Sequence, residues 1–161
     1  MNGVRETFQA LKTWPSSRQW AWSLSVIVPT IIGLALLFLI AGLARWSPVQ
    51  DVTVIVSVAA MLFVAPALLE ELLFRGVLLK SGSVLSAVLS VSAFIAWHPL
   101  QVYTIGPPWA AQFLDPAFLL GVAVLGIALA HLRLRTASLW PPIMLHWIVV
   151  AGWKLLLDGP F

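Results

Sequence analysis

Cysteine is absent from the 161 residues, which removes a disulfide framework, a thiolate metal site and a thiol nucleophile together. Charge is nearly as scarce. Asp, Glu, Lys and Arg make up 9% of the chain, where soluble domains carry about one quarter. No G-x-S-x-G occurs, so a serine nucleophile elbow is missing, and the serines at 81, 83, 86, 90 and 92 have the spacing of turn and helix-contact residues. The three histidines, at 98, 131 and 146, form no H-E-x-x-H zinc motif. No internal repeat or low-complexity segment is present. What fills the chain is apolar: 61% hydrophobic residues and a mean hydropathy of +0.99. This composition predicts an integral membrane protein, a polytopic all-α bundle of about five spans in one domain, with no room for a second, soluble domain.

An amphipathic segment opens the chain. Residues 1–20 are polar and basic, with Val4, Phe8 and Leu11 at helical spacing, and predict an interfacial helix. The apolar run from Ala21 to Ala44 is too long for a signal-peptide core and reads as the first span. Trp46-Ser47-Pro48 breaks it, and Asp51 is placed to cap the next helix. The second span starts near Val52, with a helical pattern reaching as far as Lys80, before the turn Ser81-Gly82-Ser83. A short third span, Val84 to Trp97, ends at His98-Pro99. Residues 100–115 hold two prolines, a glycine and no basic residue, and predict a loop, partly re-entrant. The fourth span is Pro116 to Leu132 and the fifth Leu139 to Leu157. Five of the nine tryptophans (Trp20, Trp22, Trp46, Trp140 and Trp153) fall near span ends, as interfacial anchors do.

The net charge of +3 comes from residues flanking the spans, so it reports topology and gives no sign of a nucleic-acid partner. With the N-terminus inside, the inner side collects Arg5, Lys12, Arg18, Arg75, Lys80, Arg133 and Arg135, against Arg45 and Lys154 outside. Positive charge marks the cytoplasmic face, which predicts a cytoplasmic N-terminus and an external C-terminus.

Charge inside a span demands a reason, because it costs about 2.5–3.5 kcal/mol per group on insertion scales unless paired or hydrated. The run Glu70-Glu71-Leu72-Leu73-Phe74-Arg75 follows eighteen uncharged residues. Glu71 and Arg75 stand at i and i+4 with the acid on the N-terminal side, the favourable order for a pair on one face. Glu70 lies about 100° round the helix and has no such cation, which leaves it for water and substrate. Counted from the inner turns at 1.5 Å per residue, Glu70 lies at roughly 18 Å, His98 at roughly 24 Å and His146 at roughly 12 Å, within one or two helical turns of one another. Three polar clusters at matching depth predict one shared cavity. The bland alternative, glutamates that only lock helices together, fits a lone carboxylate better than this set. Phe94, four residues before His98, is placed to shelve its ring against the imidazole. Two histidines and a glutamate also make a possible zinc ligand set, although the motif is wrong. His131 reads as an ordinary interfacial residue. Tyr103, Asp115 and Lys154 read as loop or boundary residues.

Three motifs, in order on three helices, carry a family likeness. Glu70-Glu71-Leu-Leu-Phe-Arg75-Gly76 resembles E-E-x-x-x-R, Phe94-Ile-Ala-Trp-His98 resembles F-x-x-x-H, and His146 opens what looks like H-x-x-x-N or D. The chain resembles the CAAX-protease and bacteriocin-processing (Abi) family of glutamic intramembrane proteases over residues 51–157. Residues 1–50, the interfacial helix and first span, are an addition.

The resemblance implies hydrolysis of a peptide bond in or near a membrane-associated tail, without a metal or other cofactor. Glu70 and His98 would activate a water, and His146 would help hold the oxyanion. Glu71 completes the implied catalytic set, with Arg75 and Phe94 supporting. There is one departure: the position four after His146 is Val150, which donates no hydrogen bond. A backbone amide, Trp147 or Trp153 is left to substitute. The small size resembles members that process C-terminal sorting tails of bacterial surface proteins, which would place the chain in a bacterial inner membrane. Two other readings stand beside it: a non-catalytic binding or immunity protein that grips a partner's membrane segment, and a zinc-dependent membrane protease.

Overall fold

The computed structural model describes residues 2–160. An amphipathic helix α1 (Asn2–Lys12) is followed by α2 (Ser17–Ile40), α3 (Val52–Leu78), α4 (Val84–Val102), α5 (Pro116–Thr136) and α6 (Trp140–Leu156). No β-sheet occurs among the described residues; Ser47 and Leu157 form an isolated bridge. Four helices, α2 to α5, are long and apolar enough to cross a membrane. The fifth, α6, has 17 residues, at the short end of the range that spans a hydrocarbon core of about 30 Å. The protein is an integral membrane helix bundle.

Lipid-facing and protein-facing sides are written into the spacing. Leu24, Val28, Ile32 and Leu36 recur every fourth residue and are all exposed on the outside of α2, as a helix surrounded by acyl chains requires. The inward side of α2 carries Ile27, Leu34 and Phe38 to the core. Helix α5 is the most buried span. It touches α2, α4 and α6, and two glycines let it do so. A Cβ at Gly121 would stand 2.6 Å from the Phe38 ring, and one at Gly126 would stand 3.0 Å from the Phe94 ring.

Capping sets several starts. Asp51 Oδ1 accepts from the N–H groups of Thr53 and Val54, as expected of it. Asp115 does the same for Ala117 and Phe118, and Ser16 with Gln19 forms a capping box that starts α2 at Ser17 rather than Ala21.

Two helices depart from regular geometry. Pro66 supplies no N–H, and a residue before proline is pushed out of the helical region. Ala65 accordingly sits at φ −132°, ψ 115°. The chain recovers through two wide, π-type stretches, Phe63–Leu68 and Leu72–Leu78, with Leu69–Glu71 between them. Wide turns of this kind inside helices often mark functional sites. The second departure corrects the expected end of the third span. α4 does not stop at Trp97 but runs through His98 and Pro99 to Val102. A proline costs the helix one hydrogen bond, and tertiary contacts of the last turn offset it. The following segment, expected as loop, folds back as a short 3₁₀ turn, Ala110–Leu114, burying Ala110 and Phe113 in the core.

At one end of the bundle, α1 lies against the C-terminal half of α3 and the α5–α6 turn. Leu139 N–H donates to Ala10 O, Trp140 Nε1 to Leu11 O and Ser138 Oγ to Thr13 O. Val4 and Phe8 point away and are exposed, which suits a helix lying in the membrane interface. At the other end, the N–H groups of Ser47 and Val49 donate to Leu156 O and Leu155 O.

Candidate functional site

Helices α3, α4 and α6 bring the intramembrane charges together. Glu71 and Arg75 are completely buried, and Arg75 Nη1 donates to Glu71 Oε1 at 3.0 Å. The guanidinium has two further anchors. Its Nη2 donates to Gly126 O at 3.1 Å, and its plane lies 4.1 Å from the Phe94 ring centroid. The same oxygen of Glu71 accepts from His146 Nδ1 at 2.9 Å. A carboxylate held by arginine thereby fixes the histidine's tautomer, directing Nε2 the other way.

Glu70 occupies that other side. Its Oε2 is 3.9 Å from His146 Nε2 and is buried without a hydrogen-bond partner among the described residues. Its Oε1 accepts from Trp97 Nε1 at 3.0 Å. The two neighbouring glutamates, about 100° apart on the helix, therefore flank opposite edges of one imidazole. His98 joins from α4. Its Nδ1–H donates to Phe94 O at 2.9 Å, which leaves Nε2 as the acceptor in the neutral ring. Phe94 stands between the histidines, with ring centroids 5.1 Å from His98 and 5.7 Å from His146. Phe113 and Phe118 wall the outer side of His98.

Glu70, Trp97, His98 and His146 line a cavity of about 690 Å³, otherwise walled mainly by apolar side chains from every span and by the segment after α4. Its size falls in the range of sites that enclose a small ligand or a short peptide segment. No three acidic or histidine side chains among the described residues are grouped to hold a metal ion.

Several residues sit differently from expectation. Trp153 is no interfacial anchor. It is buried among Phe38, Phe118 and Trp109, and its Nε1 donates to Leu43 O at 3.3 Å. Trp147 Nε1 donates to Ala59 O at 2.8 Å. Neither indole near Val150 is therefore free to replace the donor absent there, since each is committed to a backbone carbonyl. Lys154 is not a boundary residue but a buried one on the cavity wall. Its ammonium lies 4.4 Å from the Trp109 ring and donates to Pro160 O. His131 is exposed against Trp22. The spacing of the F-x-x-x-H segment gives Trp97 no role, yet its Nε1 holds Glu70. The signal available was an indole donor at one residue's remove from His98, on a helix expected beside α3.

An all-helical membrane protein in which a buried and a half-buried glutamate flank a histidine at the wall of a cavity between its spans defines the class. A family model described as Type II CAAX prenyl endopeptidase Rce1-like matches residues 50–152. The chain belongs to this Rce1-like family, and membership implies a CAAX-type intramembrane protease. No curated protein and no solved structure matches the chain.

Proposed function

We propose that the protein is a glutamic-type intramembrane endopeptidase that hydrolyses a peptide bond near the end of a membrane-associated tail. One observation carries the reading: Glu70 Oε2, buried and without a partner among the described residues, faces His146 Nε2 at 3.9 Å inside a largely apolar cavity that also holds His98. A base facing the position of a reacting group, with an oriented donor beside it, is the minimum equipment for adding water to an amide.

In this mechanism the oxygen of a water attacks the scissile carbonyl carbon while Glu70, assisted by His98 Nε2, takes the proton. The carbonyl π electrons move to oxygen, and His146 donates to that oxygen when its Nε2 carries a proton. Collapse of the tetrahedral species breaks the C–N bond as the proton passes to the departing amine. Glu71 and Arg75 hold His146 in place, and Phe94 packs the two histidines apart.

The substrate is a membrane protein or peptide. The family description points to prenylated CAAX tails, and the chain's small size to C-terminal sorting tails of surface proteins in a bacterial inner membrane. The N-terminus is cytoplasmic in this reading. It is supported by the placement of Arg5, Lys12, Arg18, Arg133 and Arg135 on the α1 end of the bundle, with Arg45 at the other.

Val150 favours a second reading, in which the same cavity grips a partner's membrane segment without cutting it. The two are separated by comparing membrane and surface proteins from cells carrying wild type or Glu70→Gln. New termini near a membrane tail that require Glu70 support the protease. A Glu70→Gln protein that complements every phenotype supports binding alone.

A further inference from the structure

Peptide hydrolysis builds negative charge on the carbonyl oxygen, and sites for it generally aim two donors at that oxygen. His146 supplies one when its Nε2 carries a proton. One helical turn further along α6, Val150 faces the same cavity and supplies none, while Trp147 and Trp153 donate to Ala59 O and Leu43 O. Lys154, the other donor of α6 on the cavity wall, donates to Pro160 O and lies 4.4 Å from the Trp109 ring, so the second donor is sought on another helix.

We infer that Gln101 of α4 provides it, an inference that rests on the protease reading. Gln101 lines the cavity beside Trp97 and His98 and follows them by four and three residues, the spacing that places side chains on one helical face. That position is helical only because α4 continues past Pro99 to Val102. Side chains on a helix lean toward its N-terminus, so the carboxamide of Gln101 leans back toward the level of His98. A rise of about 4.5 Å separates the two Cα atoms, within the reach of a glutamine side chain.

The backbone carbonyl of Gln101 is engaged, accepting from Gly106 N–H at 2.8 Å and Thr104 N–H at 3.2 Å. A Cβ at position 106 would meet that carbonyl at 2.4 Å, so glycine there permits a turn that pins the end of α4. The side-chain amide makes no hydrogen bond among the described residues. It is a half-buried donor pair in a largely apolar chamber, fixed at its base and available to a substrate oxygen. Gln101 touches the substrate in this account and does not act through another residue.

The test uses the full chain reconstituted in lipid nanodiscs and the membrane protein whose Glu70-dependent new terminus the cell comparison identifies. Gln101→Leu should lower kcat by about 10²–10³-fold, the usual cost of one oxyanion donor, with KM changed little. Val150→Asn added to Gln101→Leu should recover at least ten-fold of about that loss, by restoring a donor one turn from His146. Gln101→Met keeps the length of the side chain and offers no donor in any state of ionisation. It should be as slow as Gln101→Leu, and it serves as the variant if leucine disturbs folding.

Retention of kcat within a few-fold in both Gln101 variants, with Glu70→Gln inactive, would overturn the role of Gln101 and leave the protease reading standing. So would a rise in KM alone, or no recovery from Val150→Asn. Absence of any Glu70-dependent product from wild type would remove both.

Discussion

His146 Nδ1 stands 2.9 Å from Glu71 Oε1, the same oxygen that accepts from Arg75 at 3.0 Å. The second glutamate of the pair is thus a bracket between a cation and an imidazole, and the first is the one whose free oxygen faces the cavity. Substitutions at the two glutamates should therefore fail in different ways.

Glu71→Gln and Arg75→Ala should lower stability as well as cleavage. Removing one member of a fully buried pair leaves the other uncompensated, at a cost of about 3–5 kcal/mol, and Arg75→Ala also vacates the space over Phe94. Thermal unfolding in detergent should show a clear drop in Tm for both. Glu70→Gln, whose oxygen has fewer partners, should unfold near wild type and still be inactive. Equal Tm for all three variants would contradict this division.

Trp97→Phe keeps an aromatic body but deletes the N–H given to Glu70 Oε1. A hydrogen bond to a charged group contributes about 1.5–3 kcal/mol, so kcat should fall by about ten- to one-hundred-fold if the bond holds Glu70 in its working rotamer. KM should move little, and Tm should fall by a few degrees as the bond is lost. Unchanged kcat would show that packing alone orients the carboxylate.

Gly126→Ala places a methyl group 3.0 Å from the Phe94 ring and 3.5 Å from Arg75 Nη2. The ring and the guanidinium must both give way, and the Arg75 bond to Gly126 O lengthens. Overpacking of this kind costs about 1–3 kcal/mol, so a lower Tm together with reduced activity is expected. Gly152→Ala, where a Cβ meets nothing within 4 Å, is the matched control and should leave both unchanged.

Chelators such as EDTA and 1,10-phenanthroline should leave the cleavage rate unchanged if side chains alone activate the water. Loss of activity restored by zinc would establish the metalloprotease instead.

Much of this architecture is legible in the sequence, for reasons that differ by element. Spans announce themselves because lipid tolerates so few charges, and Asp51 marks a helix start because a short acid caps free N–H groups. The pairing of Glu71 with Arg75 follows from i, i+4 spacing within one helix. Contacts between helices are another matter. That Glu71 would also hold His146, or that Trp97 would reach Glu70, depends on how three helices rotate against one another. The sequence pattern ends α4 too early because a proline usually closes a helix, whereas packing of Phe113 against His98 and a glycine turn at Gly106 secure the extra turn here. Lys154 and Trp153 near a span end suggest an interface, yet both are buried because the segment after α4 folds back over them.

The most direct measurement of the central claim is cleavage in nanodiscs of the tail identified in cells, comparing wild type with Glu70→Gln at matched folding and following the new C-terminus by mass spectrometry. The account predicts a product from wild type, one oxygen of its new carboxylate taken from solvent water, and no product above background from Glu70→Gln. The same product forming at the wild-type rate with Glu70→Gln would contradict it.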